Sequence, residues 1–172
     1  MSSITDRLLL PRRTLLALCG PAGSGKSTFA ARCFPATNIV SSDHCRGMIC
    51  DDENDQTVNR DTFDLFYTIL QKRMLLGRPC VADSVALKPY ARNYLRNLSR
   101  RFGYYGCLLI FDTPPDVCLQ RDSLRTRQVG ASVVQYHAGL LAQTLLNAPN
   151  EGWELVRVLH EDEQNLEVAF DA

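Results

Sequence analysis

The sequence predicts an α/β fold, with a mostly parallel central sheet and helices on both faces. Three observations predict it. Short apolar runs of strand length alternate along the chain with segments of helical periodicity. The run Thr14–Cys19 (TLLALC) suits a buried strand. A glycine-rich segment then separates that run from a helical one, and ligands of such sheets bind beyond the carboxyl ends of the strands.

Taken in order, Thr14–Cys19 is a strand that ends where the glycine-rich loop begins at Gly20. Lys26–Cys33 reads as a helix stopped near Pro35. Asn38–Val40 is a second short strand, followed by polar Ser41, Ser42 and Asp43. The acidic stretch Asp51–Asp55 reads as a loop. Thr62–Leu76 places Phe63, Phe66, Ile69, Leu70 and Met74 at helical spacing, with Gly77 as C-cap. Pro79–Asp83 is the third strand, and Pro89–Phe102 a helix with proline in its first turn and Ala91, Tyr94, Leu95 and Leu98 on its apolar face. Cys107–Phe111 (CLLIF) is a strand. Asp116 to Arg125 and Val133–Leu146 are helices, Glu154–Leu159 a last strand and Asp162–Val168 a last short helix. Each polar signal taken up below falls at the end of one of the strands.

At 172 residues the chain is expected to form one domain over 1–172. The composition, 45% hydrophobic and 22% charged, is that of a globular protein. Nineteen basic and nineteen acidic residues give zero formal net charge, which argues against wrapping a long duplex through bulk charge. A nucleic-acid partner would be gripped at a short end by a few placed arginines. Of the basic residues only Lys26, Lys72 and Lys88 are lysines. None of the seven cysteines forms a CxxC pair. They read as small buried hydrophobes in a reducing compartment, and a cytoplasmic location is expected. His44, Cys45 and Cys50 supply too few ligands for zinc. No signal-peptide pattern appears, and no apolar run is long enough to span a membrane.

The segment Gly20-Pro21-Ala22-Gly23-Ser24-Gly25-Lys26-Ser27-Thr28 fits GxxxxGK[ST] between a strand and a helix, the setting that a P-loop requires. Its glycines let backbone N–H groups turn towards phosphates at a helix N-terminus. Lys26 is expected to reach the β- and γ-phosphates and Ser27 to coordinate Mg²⁺. Transfer to a hydroxyl needs a base and further cations. Asp43, at the end of the second strand, and Asp83, at the end of the third, are each candidates for base, the other then holding the water shell of the metal. Arg46, three residues after Asp43, would face the same site if the segment is helical or turned, and suits a phosphorylated acceptor. Arg121, Arg125 and Arg127 cluster where the helix from Asp116 ends, with Arg121 and Arg125 on one face by i, i+4 spacing. There they would stabilise charge spreading in the transition state. No catalytic role is assigned to His44, His137 or His160, and Trp153 and the tyrosines read mainly as packing residues.

Gly20–Thr28, then Val40-Ser-Ser-Asp43-His-Cys-Arg46-Gly, then Asp51-Asp-Glu-Asn-Asp-Gln-Thr-Val58, resemble the 5′-kinase module of the bacterial polynucleotide kinase–phosphatase enzymes of RNA repair. The resemblance runs over nearly the whole chain, including Pro11, Arg121–Val129 and Glu151–Trp153. It implies a three-layer P-loop kinase fold with a small arginine-bearing lid, using ATP and Mg²⁺ to phosphorylate the 5′-OH end of RNA or DNA. It further implies Lys26 and Ser27 as P-loop lysine and metal-binding serine, Asp43 as general base, Arg46 as clamp on the 3′-phosphate of the acceptor, and Arg125 as lid arginine on the donor phosphates. Arg121 and Arg127 stand beside that nucleotide set, and Asp83 on the acceptor side. The resemblance permits a homodimer, and in a longer chain it implies phosphatase and ligase modules after this one. The sequence departs from the family in two places. Asp83 is followed by Ser84, Val85 and Ala86 where the family tends to read Asp-x-Thr-Asn, and Leu124–Val129 is one residue shorter than the family's lid segment. The alternatives are a small-molecule kinase acting on a sugar, nucleoside or antibiotic alcohol, and a non-catalytic nucleotide-binding domain.

Overall fold

The computed structural model describes residues 6–172. Its main sheet has five strands, all parallel: β2 (Thr14–Cys19), β3 (Ile39–Ser41), β4 (Cys80–Asp83), β5 (Tyr105–Asp112) and β6 (Leu155–His160), in the order β3-β4-β2-β5-β6. A second, two-stranded parallel sheet pairs β1 (Arg7–Leu10) with β7 (Glu167–Phe170). The helices are α1 (Lys26–Cys33), α2 (Ser42–Cys50), α3 (Asn59–Leu75), α4 (Pro89–Arg101), α5 (Pro115–Ser123) and α6 (Ala131–Asn147).

The central strand β2 explains the layering. All six of its residues are buried, and successive side chains go to opposite faces. Leu15, Ala17 and Cys19 join the core with Phe66, Leu70 and Met74 of α3, Leu95 and Leu98 of α4, and Leu141 of α6. Leu16 and Leu18 join the other core, with Phe29 and Ala30 of α1, Leu10 of β1 and Val168 of β7. A strand buried on both faces has no room for alternating polar residues, so it reads as an unbroken apolar run. Burial of each such leucine contributes roughly 1.5–3 kcal/mol.

Strand β1 is not among the elements expected from the sequence, and three further elements differ from expectation. The segment from Ser42 is a helix, α2, capped by the Ser41 hydroxyl, which accepts from His44 N at 3.2 Å. Its Gly47 and short apolar stripe hide it from periodicity. Helix α5 ends at Ser123, so Arg125 lies past it and the i, i+4 face shared with Arg121 does not form. Last, Asp162–Val168 is not a helix. Glu161–Glu163 is one 3₁₀ turn, and Glu167–Phe170 is a strand whose partner, β1, lies at the other end of the chain. A pairing that distant leaves no local periodicity to read.

Strand register fixes the site. Leu18 of β2 and Ser41 of β3 both lie level with Asp83 of β4. The glycine-rich loop after Cys19, Asp43 in the first turn of α2, and Asp83 therefore emerge at one carboxyl edge of the sheet. Among the described residues no helix is long and apolar enough to cross a membrane.

Candidate active site

The loop Gly20–Gly25 closes on itself before α1. Lys26 is 8% exposed, and its Nζ donates to the carbonyls of Gly20 and Pro21, each at 2.8 Å. Gly23 has φ +79°, and a Cβ there would lie 2.7 Å from the Cys118 carbonyl oxygen of α5. Gly23→Ala is expected to cost about 1–3 kcal/mol through left-handed strain and this backbone clash. A denaturant melt with an ATP titration checks it: the midpoint falls and ATP affinity falls with it.

Ser27 Oγ donates to Asp83 Oδ2 at 2.8 Å. Asp83 is 6% exposed, and burial pushes its carboxyl up against the opposing pull of Lys26, while burial also pushes the Lys26 ammonium down. A hydroxyl beside a carboxylate is a hard-oxygen pair that fits Mg²⁺. The structure thus sets Asp83 beside the metal-type serine, while Asp43 stands at the opening of the cleft.

Asp43 is bracketed by two guanidinium groups. Arg46 Nη1 donates to Oδ1 at 2.9 Å, and Arg127 Nη1 donates to Oδ2 at 2.9 Å, with Arg127 Nη2 at 3.5 Å from Oδ1. A carboxylate offers about four acceptor positions. Three are engaged, and the fourth, on Oδ2, is open on a side chain that is 47% exposed. Arg46 itself is buried. Its Nη1 also reaches the Glu53 carbonyl at 3.3 Å, its Nη2 donates to Asn59 Oδ1 at 2.8 Å, and its Nε has no partner. Arg46 therefore ties Asp43 to the acidic turn and to the first residue of α3.

The lid loop between α5 and α6 splits its arginines. Arg127 crosses to Asp43, Asn54 and Glu53 on the far wall. Arg125 is exposed, lines the cleft, and acts electrostatically on both Lys26 and Asp83. Arg121 stays on α5, where it donates to the Gly23 carbonyl at 3.4 Å and faces Glu161. Of the remaining loop residues, Ala22 and Gly25 line the cleft, whereas Gly20, Pro21 and Ser24 are buried beneath it and Thr28 is exposed on α1.

The cleft encloses about 660 Å³, within the range of ligand sites. Lys26, Ser27, Asp43 and Asp83 line it, together with the apolar Phe63, Val85, Leu87 and Leu140 and the tyrosines Tyr90 and Tyr136. A more open hollow of about 710 Å³ between Asp112–Pro115, α6 and His160–Asp162 contains none of the loop residues.

Three site residues escaped the sequence reading. His137 of α6 accepts the Ala22 N–H through Nδ1 at 3.1 Å. Thr113 Oγ1 and Gln164 Nε2 both donate to the Ser24 carbonyl at 2.9 Å. Thr113 follows a strand end, a signal that could have found it; His137 and Gln164 arrive only by tertiary packing. The His137 ring is pushed down to about 4 by burial, and then by the Lys26 and Lys88 ammoniums. An unfolded histidine titrates near ~6.5. Between these values the unfolded chain binds the extra proton, so this contribution to stability is present above about pH 6.5 and is lost as the pH falls towards 4. Thermal melts at neutral and mildly acidic pH are expected to show a steeper acid loss for the native protein than for His137→Gln. Parallel losses would remove the assignment.

A family model described as an AAA domain matches residues 15–144, from β2 through most of α6. The chain belongs to this AAA-domain family. Three solved structures show the same fold. A gluconokinase from Sinorhizobium meliloti 1021 matches at 20% identity with TM-score 0.54, over 87% of this chain and 83% of that one. A sugar kinase from Janibacter sp. HTCC2649 matches at 20% identity and 0.57, over 86% and 84%. A shikimate kinase from Acinetobacter baumannii, in complex with shikimate, matches at 16% identity and 0.55, over 91% and 87%. At these identities the likeness is one of fold: this AAA-domain member has a P-loop kinase fold. No curated protein matches the chain.

Proposed function

We propose that this protein is an ATP-dependent kinase that transfers the γ-phosphate to an alcohol, and that its acceptor is the 5′-hydroxyl end of RNA or DNA. The observation that carries the reading is the open position on Asp43 Oδ2, in the same cleft as Lys26 and Ser27. An acceptor hydroxyl hydrogen-bonded there would give its proton to Asp43 as its oxygen attacks the γ-phosphorus. The bond from that phosphorus to the β,γ-bridging oxygen breaks, and ADP leaves. Lys26 and Arg125 would lie on the donor side and neutralise the spreading phosphoryl charge. Ser27 and Asp83 would hold Mg²⁺, which supplies charge neutralisation between the donor phosphates when bound.

Two features support a nucleic-acid acceptor. The acidic turn carrying Asp51–Val58, on which the family resemblance rests, forms the wall that Arg46 and Arg127 bind. Tyr90 and Tyr136, 71% and 56% exposed, border the cleft and offer faces on which bases can stack. A second reading, a kinase of a small alcohol, draws support from the enclosed volume of the cleft, from the sugar and shikimate kinases that share the fold, and from Arg46, whose Nη1 and Nη2 are already satisfied inside the protein. Incubation with γ-labelled ATP and matched 5′-OH RNA and DNA oligonucleotides, beside gluconate, shikimate and nucleosides, separates the two. Label on an oligonucleotide supports the first reading. Label on a small alcohol alone overturns it in favour of the second, and ATP binding without transfer to anything favours a non-catalytic domain.

A further inference from the structure

The lid loop has little apolar anchorage. Leu124 is 82% exposed, and Arg125, Thr126 and Gln128 are also exposed. Its shape therefore depends on polar ties. Leu124 N and Arg125 N continue the last turn of α5 by donating to the carbonyls of Arg121 and Asp122, and Gln128 Nε2 donates to the Ser123 carbonyl at 2.9 Å. The loop is closed at its base by one side chain. Asp122 is 3% exposed, and its two oxygens accept from Val129 N at 2.9 Å and Gly130 N at 3.0 Å. These are charge-assisted bonds. The placement is otherwise unfavourable: a carboxylate in the last turn of a helix meets the negative end of the helix dipole, and its burial costs free energy unless it is hydrogen-bonded.

We propose that Asp122 is the positioning residue of the lid. Its carboxylate clasps the two ends of the loop 124–130, and so projects Arg125 towards Lys26 and Asp83 and Arg127 across to Asp43. Opening the clasp would lengthen the span over which both arginines wander, without removing either.

The test uses Asp122→Asn, which keeps the shape and loses one acceptor, together with Asp122→Ala. Limited trypsin digestion, read by peptide mass, reports the rate of first cleavage after Arg125 and Arg127. The expected result is a rise of about tenfold or more in Asp122→Asn, the change in local opening that follows loss of a charge-assisted hydrogen bond, with cleavage after Arg100 unchanged. In the activity arm, which rests on the proposed kinase reading, Asp122→Asn lowers kcat in the native background and has little further effect when Arg125 and Arg127 are both alanine. Cleavage of Asp122→Asn at the native rate overturns the proposal. So does an equal fractional loss of kcat with and without the two arginines, which would mark a general structural role. Should no acceptor be phosphorylated, the proteolysis arm still decides the clasp, and the failure belongs to the functional reading alone.

Discussion

Asp43→Asn is expected to lower phosphoryl transfer to a 5′-OH oligonucleotide by about 10²–10⁴-fold, the range spanned by general-base catalysis, while ATP binding is retained. The amide keeps the size of the carboxylate and one acceptor oxygen. It cannot take up the proton of the acceptor, and its NH₂ group would face one of the two arginine donors that now bracket Asp43. Single-turnover transfer and equilibrium ATP titration on the same preparation separate the two effects. Transfer at the native rate would remove Asp43 as base. A parallel loss of ATP affinity would instead point to collapse of the Arg46–Asp43–Arg127 bracket, a change that the thermal midpoint would also report.

Arg125→Ala should lower kcat by about 10³-fold, the lower end of what a transition-state arginine contributes to phosphoryl transfer, with a smaller effect on the KM for ATP. The reason is position. Arg125 is exposed and within electrostatic reach of Lys26 and Asp83. Arg127 is held by Asp43, Asn54 and Glu53, beside the proposed base. Arg127→Ala is therefore expected to act mainly on acceptor use. Initial-rate matrices in ATP and acceptor for both variants check this division, and identical kinetic profiles would contradict it.

The two-arginine division shows where local reading stopped. From spacing, Arg121 and Arg125 lie on one helical face. The helix instead ends at Ser123, and beyond it Val129 N and Gly130 N donate back to the Asp122 carboxylate. No periodicity reports a bond from a side chain to backbone seven and eight residues away. Arg92 offers a parallel case. A charged side chain that the sequence did not single out, it is 1% exposed, bound to Glu151 and to the carbonyls of Ala86 and Leu87, and it thereby fixes the segment that forms the cleft wall beside the loop. Ala86 there has φ +49°, a left-handed conformation that asparagine adopts more readily than alanine.

The strongest local patterns were legible from the chain alone, although the contiguous helix α2 and strand β1 were not. The six-residue strand Thr14–Cys19, the turn chemistry of Gly20–Ser27 and the helix that begins at Lys26 were all read within one residue of their observed bounds, because strand burial, glycine backbone freedom and helix initiation are local effects. What required the tertiary structure was the assembly of residues far apart in sequence. Parallel register brought Ser41, Asp83 and Leu18 level, and packing of α6 set His137 against Ala22. The path of the loop between α5 and α6 put Arg127 on Asp43, 84 residues away. Such contacts depend on which faces the whole core buries, and no window of sequence contains that information.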